Sequence, residues 1–551
     1  MTEKQRERTK QSFIMGSLTS SAGVFLSKAI GLFYMVPFTA LATEPNMAFY
    51  SAPYSYYSIL LQICSAGIPY AAAAVIAKYA SRNDWKTVML ARKISKGILC
   101  VSGFVFAVLF ALCSGILSRS TLGALATPED IATMQKAFMI LSMALFLVPL
   151  LSSYRSFYQG LKDMRVYADS QVIEQLGRVL SLLGLSYIAV KVLRMANIYA
   201  VYMAVLATSI GAMIAIFFYD RYDRRNIGHY NRLARSQDSE AVDSRDLLKE
   251  LLLFGLPYFI GSIVGNSQTL VNTRFFVSCA TQLGVSYGDA RLLYGIIQLQ
   301  CDKLTSIPQV LGIGFSAGIV PYMTIALEGK NYTQLRRNIR ECLETTLFIG
   351  MPVCFVMLVL ARPVYYIMYG GANLDYGEHC LQFAAVLALV TTITPICSSM
   401  MMTLKLRKES IIYLCFGFIV KAATFYPMMK YTGYTGAITS SIFCSLSIIY
   451  LDLAKLSSRF GVSYRQTGIY FVRILTACLA MNGGFAILRI LGFTITEASR
   501  IKALLQFGVY GIVGMVIYLA AANMLKIPQG IFRKSLKEIA ESYLNRLTRH
   551  A

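Results

Sequence analysis

Long apolar stretches constrain this chain more than any other feature of its sequence. A helix that crosses a bilayer needs about 20 mainly apolar residues, and stretches of that length recur along most of the 551 positions with short polar segments between them. About fourteen stretches meet this length criterion. They lie at approximately 12–41, 47–77, 97–118, 132–160, 168–190, 196–219, 250–279, 290–325, 341–361, 379–404, 410–429, 434–454, 466–491 and 503–525. Charged residues make up only 15% of the chain, too few to cover a water-soluble surface of this size. The sequence therefore predicts an all-α polytopic membrane protein and excludes a soluble enzyme, a disordered chain and a disulfide scaffold.

Basic residues are concentrated in alternate connections between the predicted spans. They cluster before the first span, at 78–96, at 220–249, at 455–465 and in the C-terminal tail. Cytoplasmic loops of membrane proteins collect Lys and Arg, so this pattern and an even number of spans place both termini in the cytoplasm. The same bias accounts for most of the formal net charge of +24 without a nucleic-acid partner. The expected location is a cell membrane, with the basic connections on its cytoplasmic side.

The polar stretch 220–249 is the longest connection and divides the predicted spans into six and eight. The expected parts are an N-lobe of six spans, a cytoplasmic linker, a C-lobe of six spans, two extra spans and a basic tail. Their bounds are 1–219, 220–249, 250–457, 458–525 and 526–551. The tail carries apolar residues at helical spacing, which is typical of an amphipathic helix on the inner leaflet; a solvated helix is the alternative.

One motif occurs twice, about 250 residues apart. The second predicted span ends in SAGIPY from Ser65, and the eighth ends in SAGIVPY from Ser316. Six spans separate the two copies, and an even offset predicts a parallel repeat of two six-helix lobes. Chance similarity between two apolar helices is the alternative interpretation.

Four ionisable residues inside predicted spans are the main functional candidates, because charges in the bilayer are costly. Lys28 lies in the first span, Arg274 in the seventh, and Asp302 and Lys303 are adjacent in the eighth. A cavity with three cations and one acid would suit an anionic ligand such as phosphate or pyrophosphate. Snorkelling of Lys28 and Arg274 to the outer interface is the simpler alternative.

Other intramembrane charges give weaker signals. Glu174 and Arg178 are spaced i, i+4 and are expected to pair within one helix, whereas Arg155 is expected to snorkel. Lys421 lies at mid-depth in the eleventh span, where it is expected to line the second bundle.

Prolines and glycines in spans 2 and 8 predict where the lobes bend and pack closely, since Pro permits a bend and small residues permit close approach. The hinge and packing candidates are Pro69, Pro308, Gly312, Gly314 and Pro321.

No catalytic constellation emerges from the sequence. The twelve cysteines are scattered, and the chain has no CxxC pair, no His-rich cluster and no Gly-rich phosphate loop with a Lys. We therefore expect a transporter with no metal, no disulfide and no bound cofactor. A membrane-embedded glycosyltransferase is disfavoured by the missing catalytic cluster, and an inert scaffold would not need intramembrane charges.

Four stretches together resemble a known family. They are FIMGSLTSSAGVFLSKAIGLFYMVPF from Phe13, YSYYSILLQICSAGIPYAAAAVIAKYA from Tyr54, YRSFYQGLKDMRVYADSQVIEQLGRV from Tyr154 and DKLTSIPQVLGIGFSAGIVPYMT from Asp302. The chain resembles the polysaccharide-exporter branch of the MOP flippase superfamily, especially MurJ-like lipid II flippases and their sporulation stage V B relatives. The resemblance covers about residues 13–525.

This resemblance implies two six-helix lobes around a central cationic cavity, with spans 13 and 14 adding a groove for a lipid tail. It implies outward movement of an undecaprenyl-pyrophosphate-linked sugar across the cytoplasmic membrane of a bacterium by alternating access, coupled to membrane potential, H⁺ or Na⁺. Cell-wall synthesis proteins are candidate partners beside the lipid-linked substrate and the phospholipid bilayer. The family carries cavity bases on spans 1, 2 and 8, and Lys28 and Lys303 match the first and the last of these.

The sequence departs from the family pattern at several positions. Lys stands at 28 and 303 where Arg is common, which removes bidentate phosphate contact. The second span has YSAPYSYYS in place of a base, and Asn272 stands near a position where relatives often carry an acid. The sequence favours lipid II as the substrate and leaves teichoic-acid, capsule or O-antigen-like units as the alternative. A cation-coupled drug exporter of the MATE type is a third possibility that the basic spans disfavour.

Overall fold

The computed structural model describes most of the chain as α-helix. It covers residues 31, 34–65, 67–161, 163–237, 240–309, 323, 326, 327 and 329–532, with only the backbone given at 254, 256–265, 267 and 532. No β-strand occurs among these residues. Ten helical stretches in this part of the chain are long and apolar enough to cross a membrane. An all-α, multi-pass membrane fold is therefore confirmed.

The count of fourteen spans stays a prediction. The longest of the ten stretches, Arg407–Phe460, consists of two helices separated by a 3-10 turn at Gly433–Thr435. Much of the first and eighth predicted spans lies outside the described residues, and so does the second copy of the repeated motif.

The chain divides into two compact units, Met1–Leu299 and Gln300–Ala551. The first unit contains helices α1 to α11. Their bounds are Met35–Ala42, Met47–Ser65, Ile68–Ala80, Trp85–Leu112, Ser114–Leu122, Pro128–Gly160, Met164–Tyr187, Ile198–Arg235, Ser244–Gly265, Ser267–Gln282 and Tyr287–Gly295. The unit boundary lies inside the eighth predicted span because α9, α10 and α11 pack against α2, α3 and α5. The expected lobe bounds at 219 and 250 stay a prediction.

Small residues bring the helices of the first unit close together. Ala72 of α3, Ala91 of α4 and Ala212 of α8 have no exposed surface. Gly160, at the end of α6, approaches α3 so closely that an added Cβ would lie 2.8 Å from the carbonyl oxygen of Ala73. Small side chains that allow backbones to approach are the usual means of helix packing in membranes.

The segment expected as a cytoplasmic linker, 220–249, is largely helical and is attached to the first unit. Helix α8 continues through it to Arg235, and α9 begins at Ser244. Between these helices the Gln237 side chain accepts a hydrogen bond from the Trp85 backbone N–H (2.8 Å) and donates to Asp84 Oδ1 (3.1 Å). The connection is therefore docked on the start of α4.

The second unit contains helices α12 to α19. Their bounds are Tyr332–Val359, Ala361–Tyr369, Leu374–Thr403, Arg407–Thr432, Gly436–Phe460, Arg465–Ile490, Arg500–Met524 and Ile527–Phe532. One apolar core joins α12, α14 and α16, and a second joins the α17–α18 hairpin to α12. The predicted spans 13 and 14 are therefore packed against the rest of their unit. Of the predicted tail, Lys526 and helix α19 belong to the described residues.

Candidate functional site

The predicted site residues are distributed over both compact units. Arg274 belongs to the first unit and Lys303 to the second. Lys28, Gly312, Gly314 and Pro321 lie outside the described residues. The three-cation cavity therefore stays a prediction.

Lys303 follows a change in helix geometry. The eighth predicted span begins as α11, continues as a π-helix at Ile296–Cys301 and returns to α-helix at 302–309. The Lys303 side chain is half-buried, and no acidic side chain forms an ion pair with it among the described residues. π-Helical turns often mark functional sites, and this one changes the helical register just before the charged pair. Asp302, its neighbour, is exposed, and Pro308 is buried one and a half turns later.

Two tyrosines of α13 hold the π-helix in place. Tyr365 donates its hydroxyl to the side-chain oxygen of Gln300, and Tyr369 donates to the Gln300 carbonyl oxygen at 3.0 Å. All three residues are buried. The sequence did not indicate this contact, because nothing in the helix pattern around position 300 signals a π-helix.

Arg274 contacts the end of a short helix. Its Nη1 donates to the carbonyl oxygen of Ser120, near the end of α5, at 2.7 Å. The guanidinium also lies over the Phe275 ring, 5.0 Å from the ring centroid. The last carbonyls of a helix attract cations, so this contact ties α10 to α5. Asn272, half a turn earlier, is buried, and its Oδ1 has no hydrogen-bond partner among the described residues.

The expected pair of Glu174 with Arg178 is wrong. Glu174 instead pairs with Arg155 of α6 at 2.6 Å, so Arg155 does not snorkel. Arg178 donates to the hydroxyl oxygens of Tyr54 (3.0 Å) and Tyr50 (3.1 Å) on α2. The Glu174 pair therefore joins α7 to α6, whereas Arg178 joins α7 to α2.

Among the described residues, Arg178 has aromatic partners and no carboxylate partner. The Tyr50 and Tyr54 rings stack 5.5 Å apart, and Tyr34 lies 3.5 Å from Tyr50, measured between hydroxyl oxygens. The Arg178 Nε is buried without a hydrogen-bond partner among the described residues. The motif YSAPYSYYS thus provides the surface on which a base from α7 rests. The i, i+4 spacing of Tyr50 and Tyr54 could have indicated a shared face.

Lys421 is buried against α16. Its side chain has no exposed area, and its ammonium group donates to three oxygens of α16: the Ala437 carbonyl (2.8 Å), Ser440 Oγ (2.8 Å) and Ser441 Oγ (2.9 Å). The ammonium is directed at α16, and the prediction that Lys421 lines the second bundle stays a prediction. Burial is possible because all three ammonium protons have acceptors.

Two ion pairs hold the seventh and eighth predicted spans against the rest of the first unit. Lys78 pairs with Glu250 at 2.6 Å, and Arg291 pairs with Asp130 at 2.6 Å. Arg291 also lies over the Phe49 ring, 4.6 Å from its centroid. These partners are far apart in the chain, and no local pattern in the sequence indicates either pair.

The break between α2 and α3 lies at the predicted hinge. Pro69 is in the first turn of α3, and Gly67, just before that helix, has a φ of 78°. A residue with positive φ stops the helix, and Pro is favoured in the first turn of the next one.

Within the described residues, no three His, Cys, Asp or Glu side chains group as metal ligands. All twelve cysteines are free thiols.

Comparisons with known proteins agree with this architecture. The family model described as polysaccharide biosynthesis protein matches residues 14–327, more than half of the chain. "Lipid II flippase MurJ" of Bacillus subtilis (strain 168) is 23% identical over 533 residues, which covers 95% of this chain and 97% of that protein. "Stage V sporulation protein B" of the same organism is 20% identical over 525 residues, which covers 93% and 94%.

A solved structure has a similar fold. The structure of Lipid II flippase MurJ in an inward closed conformation superposes with a TM-score of 0.67 at 15% identity and covers 92% of this chain and 99% of that one. The resemblance to the polysaccharide-exporter branch of the MOP flippases is thus confirmed. The chain belongs to the polysaccharide biosynthesis protein family.

Proposed function

We propose that this chain is a flippase that moves an undecaprenyl-pyrophosphate-linked cell-wall precursor, in the first place lipid II, outward across the cytoplasmic membrane. The observation that carries the proposal is Lys303, a half-buried ammonium in a membrane helix without an acidic partner among the described residues. The nearly full-length similarity to a protein named as a lipid II flippase supports it.

The chemistry of the proposed substrate gives a reason for cations inside the bilayer. A charged side chain in the bilayer is costly unless it is paired or binds a ligand. Pyrophosphate carries negative charge on several oxygens, and charge-assisted hydrogen bonds to it are about twice as strong as neutral ones. We assign pyrophosphate binding to Lys303 and, as further candidates, to Lys28 and Arg274. In the structure Arg274 contacts a backbone carbonyl, so it would have to leave Ser120 to reach a ligand.

Alternating access would require the helices to bend during transport. The break at Gly67 and Pro69 and the buried Pro308 are the described positions where we propose that bending occurs. Outward movement of an anion from a cell that is negative inside is favoured by about 2.3 kcal/mol per charge per 100 mV. Membrane potential is therefore the first driving force to test, with H⁺ and Na⁺ gradients as alternatives.

Export of another lipid-linked glycan is the nearest rival, because teichoic-acid and capsule units share the lipid-linked phosphate chemistry. The matching family is described only as polysaccharide biosynthesis protein, a description that includes lipid-linked glycans other than lipid II. A MATE-type drug exporter would bind organic cations, for which acidic pockets are suited, and the basic candidates of this chain argue against it.

The test is rescue of bacteria depleted of their own lipid II flippase. Wild type, Lys303→Ala, Lys303→Arg and the control Lys191→Ala, which changes an exposed lysine at the end of the π-turn Ile188–Val192, would be compared at equal membrane expression. We expect rescue by the wild type, by Lys303→Arg and by the control, and loss with Lys303→Ala.

The outcomes separate the rivals. Rescue by Lys303→Ala would overturn the assignment of pyrophosphate binding to Lys303. Failure of a well-expressed wild type, together with export of a different undecaprenyl-linked glycan by the purified protein in vesicles, would exclude lipid II and favour the nearest rival.

A further inference from the structure

Lys421 is a cation buried in the second unit, away from the residues proposed to bind substrate. Its exposed fraction is 0%, and it lies in the middle of α15, a membrane-spanning helix. Removing an ammonium from water costs several kcal/mol even after the protein relaxes. No acidic side chain pairs with Lys421 among the described residues. Neutral oxygens must therefore compensate the charge.

Three oxygens of α16 form a cage around the ammonium. The Ala437 carbonyl oxygen and the hydroxyl oxygens of Ser440 and Ser441 lie 2.8, 2.8 and 2.9 Å from Nζ. The Phe425 ring covers a further side, 5.1 Å from Nζ to the ring centroid, a favourable position for a cation. We call these three oxygens the oxygen cage.

The hydroxyl protons of the cage point away from the ammonium. Ser440 and Ser441 both donate their own protons to the Ala437 carbonyl oxygen, each at 3.1 Å. Since each hydroxyl has one proton and two lone pairs, both oxygens present lone pairs to Nζ. The cage is therefore arranged to bind a positive charge, and neutral hard oxygens of this kind also bind metal cations.

The cage also joins two helices. Lys421 belongs to α15 and all three acceptors to α16. Asp452, the acidic residue of α16, follows Ser441 by eleven positions, about 16 Å along the helix axis. The ammonium is thus the local positive charge that connects the two helices.

We propose that Lys421 is a tethered cation: its ammonium fills an oxygen cage that holds a monovalent cation, and a free K⁺ or ammonium ion enters the cage when the side chain is removed. In the natural protein, the stability of the contact between α15 and α16 then does not depend on which ions the medium contains. This inference does not depend on the identity of the transported substrate.

The test uses the full-length protein in detergent and measures its melting temperature in KCl, NaCl, ammonium chloride and choline chloride at equal ionic strength. Choline is too large for the cage and serves as the reference cation. The variants are Lys421→Ala, which empties the cage, and Lys421→Met, which fills the space with an uncharged chain of similar length. A third variant combines Lys421→Ala with Ser440→Ala and Ser441→Ala.

A ligand that binds only the folded state raises the melting temperature. We expect Lys421→Ala to melt roughly 3 °C or more higher in KCl or ammonium chloride than in choline chloride. Wild type, Lys421→Met and the triple variant should show no such difference. Where Lys421→Ala is too unstable to purify, the fraction of monodisperse protein extracted from membranes in each salt gives the same comparison.

Three results would overturn the proposal. These are equal behaviour of Lys421→Ala in all salts, an ion-specific rise that persists in the triple variant, and an equal rise in the wild type. The first would reduce Lys421 to an ordinary hydrogen-bond donor, and the other two would place the ion elsewhere.

Discussion

Gly67 and Gly255 bring the backbones of two predicted spans into direct contact. Gly67 lies between α2 and α3, and a Cβ added there would overlap the carbonyl group of Gly255 in α9. A Cβ added at Gly255 would lie no nearer than 3.4 Å to Gly67. The break in the second predicted span thus coincides with its crossing of the seventh, and only a residue without a side chain can occupy position 67.

The first prediction concerns Gly67→Ala. The residue has a φ of 78°, where a side chain costs of order 1–3 kcal/mol, and the overlap with Gly255 adds to this. We expect a clear loss of stability, measured as a lower melting temperature of the purified protein. Gly97→Ala is the control, because no atom lies within 4 Å of the added Cβ and Ala is favoured over Gly in a helix. Equal melting temperatures for wild type and Gly67→Ala would show that the two helices do not approach this closely.

Much of this architecture could be predicted from the sequence. Apolar stretches of membrane-spanning length and alternating basic connections are properties of contiguous residues, so the helical fold follows from local pattern. The π-helix at Ile296–Cys301 could not be predicted, because it depends on contacts with Tyr365 and Tyr369, more than 60 positions away. The docking of Gln237 on α4 depends likewise on a distant helix end.

The second prediction concerns the ion pair of Arg291 with Asp130. Both side chains are mostly buried, at 17% and 20% exposure, and the atoms are 2.6 Å apart. The Asp130 carboxylate is also in the first turn of α6, where the helix dipole favours an acid. We expect a double-mutant cycle of Arg291→Ala and Asp130→Ala to give a coupling energy of about 1 kcal/mol. The coupling energy is calculated from the melting temperatures or denaturant midpoints of the wild type, the two single variants and the double variant. Strictly additive effects would contradict the pair.

The candidate site is only partly predictable for the same physical reason. The sequence pattern selects charged residues in apolar spans, and Lys303, Arg178 and Lys421 stand out in this way. It does not select their partners, since a partner comes from whichever helix packs alongside. The i, i+4 spacing predicts Arg178 as the partner of Glu174, and the structure pairs Glu174 with Arg155.

The third prediction concerns the cap of α4 and its pH dependence. Asp84 Oδ1 accepts from the Thr87 backbone N–H and from the Gln237 side chain, each at 3.1 Å. Burial alone would raise the pKa of Asp84, but these hydrogen bonds outweigh it, and the pKa is lowered. The cap therefore stabilises the folded protein above the unfolded pKa of about 3.9. That contribution is lost as the pH falls through the lower folded pKa.

We expect Asp84→Ala to lose about 1 kcal/mol at neutral pH. Asp84→Asn keeps an acceptor without a titrating group, so it should retain most of the stability and lose this part of the acid dependence. Melting temperatures at neutral pH and near pH 3 measure both effects. Asp246→Ala is the matched control, because that carboxylate is mostly exposed. A steeper acid dependence in Asp84→Asn than in the wild type would contradict a lowered pKa of Asp84 in the folded protein.

The last prediction adds Arg178 to the residues proposed to bind pyrophosphate, and it rests on the proposed function. Its guanidinium is held by Tyr54 and Tyr50 while its Nε has no hydrogen-bond partner among the described residues. Arg binds phosphate through two parallel N–H donors, and Lys cannot reproduce this. A hydrogen bond to a charged group contributes about 1.5–3 kcal/mol, so we expect Arg178→Gln to reduce lipid II transport by roughly tenfold or more. Arg178→Lys should restore part of the rate.

Two controls distinguish substrate binding from a structural role. Arg194→Gln removes an exposed arginine and should leave the rate unchanged. Tyr54→Phe removes one acceptor that positions Arg178, and we expect it to lower the rate by about fivefold, equivalent to about 1 kcal/mol, with the charge still present. The measurement is the transport rate per folded protein in vesicles, with melting temperatures taken in parallel. Wild-type rates from folded Arg178→Gln, beside a Lys303→Ala protein that does not transport, would remove Arg178 from the site and leave the flippase assignment standing.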